Sequence, residues 1–396
     1  MLGRVVTIAM EVVLLVGILV AVFVGYNIGG ATTGVSFGPA VGARVLTSFG
    51  AAILMSVCFL IGGWLIGPQV VETLGDELVG PGVLTLETGI IVMFFIGVAL
   101  LFGNLFGVPA STSMTAVGSI AGLGMATETL QWGTMGQIVT WWIVAPVLAF
   151  WICGVIGRYF YPYINRWIAI PQRDSYLFAM ERERGIPRLR LATDTDRREI
   201  GGSVVVIAIG CYMAFSSGAS NVANAVAPLV GSGAVTMQAG VLIACVAVAI
   251  GAFTIAKRTL ATMGNEVTAL PLPAAIVVMT VSATIVTLLS AIGIPVQLVI
   301  VATMAIVGLG WGRATRTVTV SDAVRGTEPT RVSTGALRAD EAGEQLPTIG
   351  EEDPEELPRT ADLFEPGTTA RVIVIQNVVP VLATLGSFLT FRFIPL

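Results

Sequence analysis

The residues of this chain that could do chemistry are small and uncharged, and they come in clusters. The first is Ser111, Thr112 and Ser113, three adjacent hydroxyls two residues after Pro109. Proline suits the first turn of a helix, where its missing N–H has no partner in any case. Backbone N–H groups of that turn are unpaired and favour anions. Three hydroxyls beside them make a neutral cradle for an oxyanion, one able to release what it binds. A helix cap accounts for one hydroxyl better than for three. The second cluster is Ser216, Ser217, Ser220, Asn221 and Asn224. Its hydroxyls and amides can complete an anion site, and its oxygens can hold Na+. A thinner counterpart, Asn27, Thr32 and Thr33, lies earlier in the chain. Close helix packing is the other use of such residues. Glu11 sits roughly 15 Å along its helix from the N-terminus by helical rise, inside the first apolar run. An acid at that depth signals function by default. The expected substrate-binding residues are Ser111, Thr112, Ser113, Ser220, Asn221 and Asn224. The expected cation-coupling residues are Asn221, Thr32, Asn27 and Glu11.

Other chemistries are excluded by what is missing. The chain has no histidine. A Ser–His dyad, His-ligated zinc and His-ligated haem are therefore ruled out. Cys58, Cys153, Cys211 and Cys245 are scattered through apolar runs without metal-ligand spacing. They read as small buried hydrophobes. The chain is not expected to be an enzyme. No metal site or cofactor is implied, apart from Na+ or H+ as a coupling ion.

A membrane must position these groups. The 396 residues are 55% hydrophobic and 12% charged, against about 25% charged in soluble domains. Val5 to Gly25 is interrupted only by Glu11, and Gly201 to Ile255 carries no charge. Uncharged runs of that length read as membrane spans. The first run is longer than a signal peptide's apolar core, so it is read as a span. About ten segments follow from this reading: 5–25, 45–66, 87–106, 109–127, 138–157, 201–217, 234–256, 270–291, 295–312 and 371–394. The expected organisation is a first membrane repeat plus a connecting span (1–157), an Arg-rich linker (158–200) and a second membrane repeat (201–312). An acidic loop (313–370) and a last helix (371–396) follow. Loop 313–370 has little apolar content to bury and reads as disordered. Basic residues favour the cytoplasm. The Arg-rich 158–200 stretch, Lys257, Arg258 and loop 313–370 are placed there, and acidic loop 67–86 and both termini outside.

An internal repeat ties the segments together. Residues 29–47 align without a gap on residues 218–236, at an offset of 189. Gly29 meets Gly218, Pro39 meets Pro228, and Thr47 meets Thr236. Gly62 meets Gly251 at the same offset, and Gly107-Val-Pro109 matches Gly293-Ile-Pro295 after a small shift. The loop placement turns the halves upside down relative to each other. Inverted repeats with a midplane site are a signature of secondary transporters. The Gly- and Ala-rich stretches 25–42 and 217–233 look too polar for ordinary spans and are expected to be re-entrant or broken helices.

Three motifs carry a family resemblance. GASNVANAVAPLVGSG (218–233), GVPASTSMTAVGSIAG (107–122) and TLATMGNEVTAL (259–270) resemble segments of the inorganic phosphate transporter family. The resemblance covers roughly 25–125 and 210–312. It implies inverted repeats, re-entrant hairpins, and phosphate uptake driven by Na+ or H+, with sulfate carried by some relatives. Several positions depart from the family pattern. Its Asn-Asp pair is Ser220-Asn221 here, with Ala31 and Thr32 in the first repeat and Val35 for the later Asn. The acid of its following helix falls at Phe59 and Val248. Gln297, Leu298 and Val299 replace its second Ser-Thr-Thr.

The sequence thus points to an all-α polytopic membrane protein of two inverted repeats. It reads as a secondary transporter of inorganic phosphate in the plasma membrane, working by Na+ or H+ symport with alternating access. The alternatives are a permease for sulfate or another oxyanion, or a non-transporting receptor or scaffold. The expected partners are the oxyanion and the bilayer, with room for a homo-oligomer and none for nucleic acid.

Overall fold

The computed structural model describes residues 2–105, 111–167, 178–183, 186–191, 197–254, 272–314 and 366–394. Long apolar runs without interior charge become long helices, since a helix satisfies its own backbone where water is absent. The first half holds α1 (Leu2–Gly42), α2 (Ser48–Leu65), short α3 (Gly67–Glu72) with a π-helical turn at Thr73–Glu77, α4 (Leu86–Leu105) and α5 (Thr112–Ala126). Then come α6 (Trp132–Val155), a π-helical turn at Ile156–Phe160, and α7 (Tyr161–Trp167). An antiparallel pair, β1 (Phe178–Glu183) and β2 (Ile186–Leu191), lies in the Arg-rich linker. The second half holds α8 (Arg197–Gly231), α9 (Met237–Thr254), α10 (Leu272–Ala291), α11 (Leu298–Ala314) and α12 (Pro366–Phe393).

Seven helices among the described residues are long and apolar enough to cross a membrane. Apolar side chains on the outside, among them Leu15, Leu19, Val57, Phe94, Val246 and Leu385, are exposed. So much exposed apolar surface suits lipid rather than water. α5, with 15 residues, and α11, with 17, are too short to span alone. They begin inside the bundle. The segments 109–127 and 295–312 of the sequence reading correspond to these two half-length helices.

The repeat is visible in the packing. A Cβ on Gly218 would lie 2.1 Å from the Phe59 carbonyl oxygen, and one on Gly29 would lie 2.1 Å from that of Val248. Gly62 meets the Phe215 carbonyl at 1.9 Å in the same sense, and Gly251 meets that of Tyr26 at 2.1 Å. Each contact in one half has its mate 189 residues away in the other. So α8 packs on α2, and α1 packs on α9. Reciprocal contacts of this kind are what a two-fold axis produces. The local structure repeats as well. Thr47 and Thr236 cap α2 and α9, accepting from Gly50 N–H at 3.1 Å and Ala239 N–H at 3.4 Å. The turns before those caps pass through left-handed residues, Arg44 and Gly233. The half-length helices are clasped alike. Gly122 of α5 lies against the Thr384 carbonyl of α12, and Gly308 of α11 lies against that of Phe150 in α6.

One expectation changes. The stretches 25–42 and 217–231 are helical throughout, as the inner parts of α1 and α8, and Ser232 and Gly233 form the turn that follows. Their small residues do not break the helix. They let α1 and α8 approach α9 and α2 at backbone distance, which larger side chains would prevent. The interruptions fall instead before α5 and before α11. Lys257, Arg258, Pro109, the 259–270 motif and most of loop 313–370 lie outside the described residues.

Candidate oxyanion site

Two of the interrupted segments converge on α8. Ser111 is the N-cap of α5, with extended backbone and its hydroxyl accepting from Met114 N–H at 3.2 Å. This places Thr112 and Ser113 in the first helical turn. At the other end, α10 closes with Gly293 at φ +78, where Gly293 N–H donates to the Ser290 carbonyl at 3.0 Å and Ile294 N–H to that of Leu289 at 2.9 Å. Only glycine takes that conformation without strain. A Cβ there would also come within 2.6 Å of the Thr73 hydroxyl. The chain then runs without helix or strand through Pro295 and Val296 into α11. Trp142 of α6 holds this stretch by donating its indole N–H to the Pro295 carbonyl at 2.8 Å.

The side chains from these elements form one network. Ser113 and Ser220 both donate to the Val296 carbonyl, at 3.1 and 3.0 Å. Thr112 donates a short hydrogen bond to Asn221 Oδ1. Asn224 Nδ2 donates to the same Asn221 oxygen at 3.0 Å and to the Ser113 hydroxyl at 3.2 Å. Asn221 Nδ2 in turn donates to the carbonyl and hydroxyl of Ser217, at 2.9 and 3.0 Å. Ser111, Ser113, Ser217, Ser220, Asn221 and Asn224 are all buried. Ser216, one turn earlier, donates to the Ala283 carbonyl of α10 at 3.1 Å.

The network joins all six residues expected to bind substrate, with Ser111 acting through the α5 cap. It is also neutral. Among the described residues no Asp, Glu, Lys or Arg is buried. A group of hydroxyls, amides and helix N–H groups holds an anion by hydrogen bonds and partial charges alone. The donors now rest on carbonyl acceptors. Anion oxygens can take over those donors, at the cost of releasing the acceptor oxygens they now serve.

The expected cation-coupling residues are divided. Asn221 is the centre of the network. Thr32 donates back to the Ile28 carbonyl at 2.8 Å. Asn27 donates to the Phe23 carbonyl at 2.8 Å and accepts from Asn104 at 3.0 Å, a pair in the first repeat. No hydrogen bond among the described residues links Asn27 or Thr32 to the α8 network. Glu11 is exposed on α1, between exposed Met10 and Val12. The sequence reading placed Ser217 in the second cluster without counting it among the binding residues, and it missed Val296, Trp142 and Asn104. Val296 and Trp142 act through a carbonyl and an indole N–H, and their apolar types gave no signal.

Half-length helices meeting at a buried polar centre inside two interlocked repeats define a membrane carrier. The model of the phosphate transporter family matches residues 28–332, and the chain belongs to that family. It is similar to the sulfate permease CysP of Bacillus subtilis, 29% identical over 300 residues, 76% of this chain and 77% of that one. A candidate phosphate permease of Mycobacterium bovis is 31% identical over 208 residues, 48% of this chain and 37% of that one. Among solved structures, a sodium-dependent phosphate transporter matches the fold with a TM-score of 0.65 at 19% identity, covering 96% of this chain and 98% of that one.

Proposed function

We propose that this protein is a secondary carrier that moves inorganic phosphate across the plasma membrane by alternating access. The observation that carries the reading is the convergence of two helix starts, at Ser111–Ser113 and Val296–Leu298, on Ser220, Asn221 and Asn224. In this reading Thr112, Ser113 and Ser220 turn their hydroxyls to the phosphate oxygens, and Asn224 donates through Nδ2. Ser111 holds the first turn of α5 in place.

The coupling ion is Na+ in preference to H+. Hard cations take oxygen ligands, and the carbonyl oxygens of Asn221, Asn224 and Val296 lie together. The network has no titratable side chain, so a co-transported proton has to ride on the phosphate itself. The Arg-rich 158–200 stretch and the 313–370 loop face the cytoplasm in this arrangement. α1, α2, α8 and α9 are interlocked, so rocking of one whole repeat against the other breaks four backbone-level contacts. The moving parts are better sought in α5 with α12 and in α11 with α6.

Sulfate is the second reading, favoured by two observations. No carboxylate stands in the network to accept a proton from phosphate or to repel a fully ionised anion. A sulfate permease is similar over most of both chains. Labelled phosphate uptake into proteoliposomes, with and without a Na+ or pH gradient and with excess sulfate, tests both readings. Gradient-driven uptake that Asn221→Ala abolishes supports phosphate transport. Sulfate uptake with no phosphate uptake establishes the second reading, and no uptake of either anion overturns both.

A further inference from the structure

Gln297 is buried, with 5% of its surface exposed. Both polar atoms of its side chain, Nε2 and Oε1, are fully buried and find no hydrogen-bond partner among the described residues. A carboxamide in that state costs several hydrogen bonds' worth of lost solvation unless something else engages it. Its place is specific. Gln297 stands directly before Leu298, the first residue of α11, and directly after Val296, whose carbonyl takes the Ser113 and Ser220 hydroxyls. The corresponding position at the start of α5 is Ser111, whose hydroxyl turns back to cap its own helix. Gln297 does not cap, so the first turn of α11 keeps its own N–H groups free of a side-chain partner from it. Close by, Asn224 Oδ1 is a second buried oxygen without a partner among the described residues.

We propose that Gln297 binds the transported oxyanion and lets one site accept both protonated and fully ionised forms. This rests on the oxyanion-carrier reading above and concerns selectivity within it. A carboxamide has two faces: Nε2 donates and Oε1 accepts. Phosphate near neutral pH carries at least one P–O–H group, which needs an acceptor. Sulfate carries none and needs donors only. A carboxylate at this position serves the first and repels the second. A hydroxyl serves both with a single proton. The glutamine, held by no other partner, turns whichever face the anion needs.

The test is uptake of labelled sulfate and labelled phosphate by the full chain in proteoliposomes, for the native protein, Gln297→Glu and Gln297→Met. Each variant is first shown to be monodisperse with a native-like Tm. The native protein is expected to carry both anions. Gln297→Met, similar in size with neither face, is expected to lower both uptakes by roughly tenfold or more. Gln297→Glu is expected to shift the phosphate-to-sulfate ratio by roughly tenfold or more towards phosphate, with phosphate uptake rising as pH falls. Native uptake of only one anion overturns the proposal. So does a Gln297→Met protein within about twofold of native for both anions, whatever the folding of the glutamate variant. An unchanged ratio in folded Gln297→Glu also overturns it, while leaving the carrier reading intact. Native uptake of neither anion overturns the carrier reading and this proposal together.

Discussion

In the second repeat, the inner part of α8 presents Ser220, Asn221 and Asn224 to the centre of the bundle. At the matching places in the first repeat stand Ala31, Thr32 and Val35. The glycines on either side are kept: Gly29 and Gly218 make the same backbone contact, with the same spacing, in opposite halves. The helix starts differ in the same way. Ser111 caps α5, while Gln297 leaves α11 uncapped by its side chain. Packing contacts are thus held on both sides of the two-fold axis, whereas each polar segment of the site is kept in one copy only: the Ser and Asn cluster on α8 but not α1, and the hydroxyl run on α5 but not α11. The two demands are physically separate. A glycine contact depends on what fits between two backbones, whereas a hydrogen-bond network depends on which atoms meet.

The largest expected effect breaks the chemical half of this comparison. Asn221 links Thr112, Asn224 and Ser217, so Asn221→Ala should lower oxyanion uptake by roughly a hundredfold. Thr32→Ala at the matching place should keep uptake within about twofold, because its hydroxyl only returns to its own helix. Comparable losses in both would show that α1 binds substrate alongside α5 and α8.

The packing half should respond equally on both sides. Gly218→Ala and Gly29→Ala each push a methyl into a carbonyl of a facing helix, with no flexible side chain to give way. Each should cost about 2–4 kcal/mol, read as a lower Tm in detergent, and the two falls should match. Gly38 has nothing within 4 Å of an added Cβ, so Gly38→Ala should be neutral or stabilise by up to about 1 kcal/mol. Unequal falls for the first pair would sink the claim of symmetric packing.

Two smaller effects sharpen the boundary of the site. Trp142→Phe removes the hydrogen bond to Pro295 and keeps the ring packing. It should lower uptake by about threefold to tenfold through a looser Val296, with little change in Tm. Glu11→Gln should leave uptake and its Na+ dependence within about twofold, since Glu11 is exposed outside the network. A lost Na+ dependence there would move the coupling site to α1.

Much of this was legible in the sequence, for a clear reason. The offset of 189 is a repeat of glycines, prolines and capping threonines, and each has a local geometric use that survives change elsewhere. Gly62 with Gly251 and Thr47 with Thr236 are therefore pairs that the sequence alone reveals. Ser111–Ser113 and Ser220–Asn224 were legible because uncharged polar residues are rare in apolar helices. The continuity of α1 and α8 was not. Gly- and Ser-rich stretches have weak helix propensity, and only their fit against α9 and α2 offsets that weakness. Gln297 was visible in the alignment of Gly293-Ile-Pro295 with Gly107-Val-Pro109. It was passed over because the pattern called for hydroxyls, and burial without a partner is a property of the fold alone.

The interlocked helices also set a schedule for making the protein. Gly62 finds its partner in Phe215, roughly 150 residues further along, which is about 8–30 s of synthesis at 5–20 residues per second. Until α8 leaves the ribosome, the glycine face of α2 has only lipid or the insertion machinery to rest on. A chain halted before α8 holds one complete repeat and still lacks the surfaces that repeat was shaped to meet. The first half is a finished sequence but not a folding unit, and its quality control has to wait for the second.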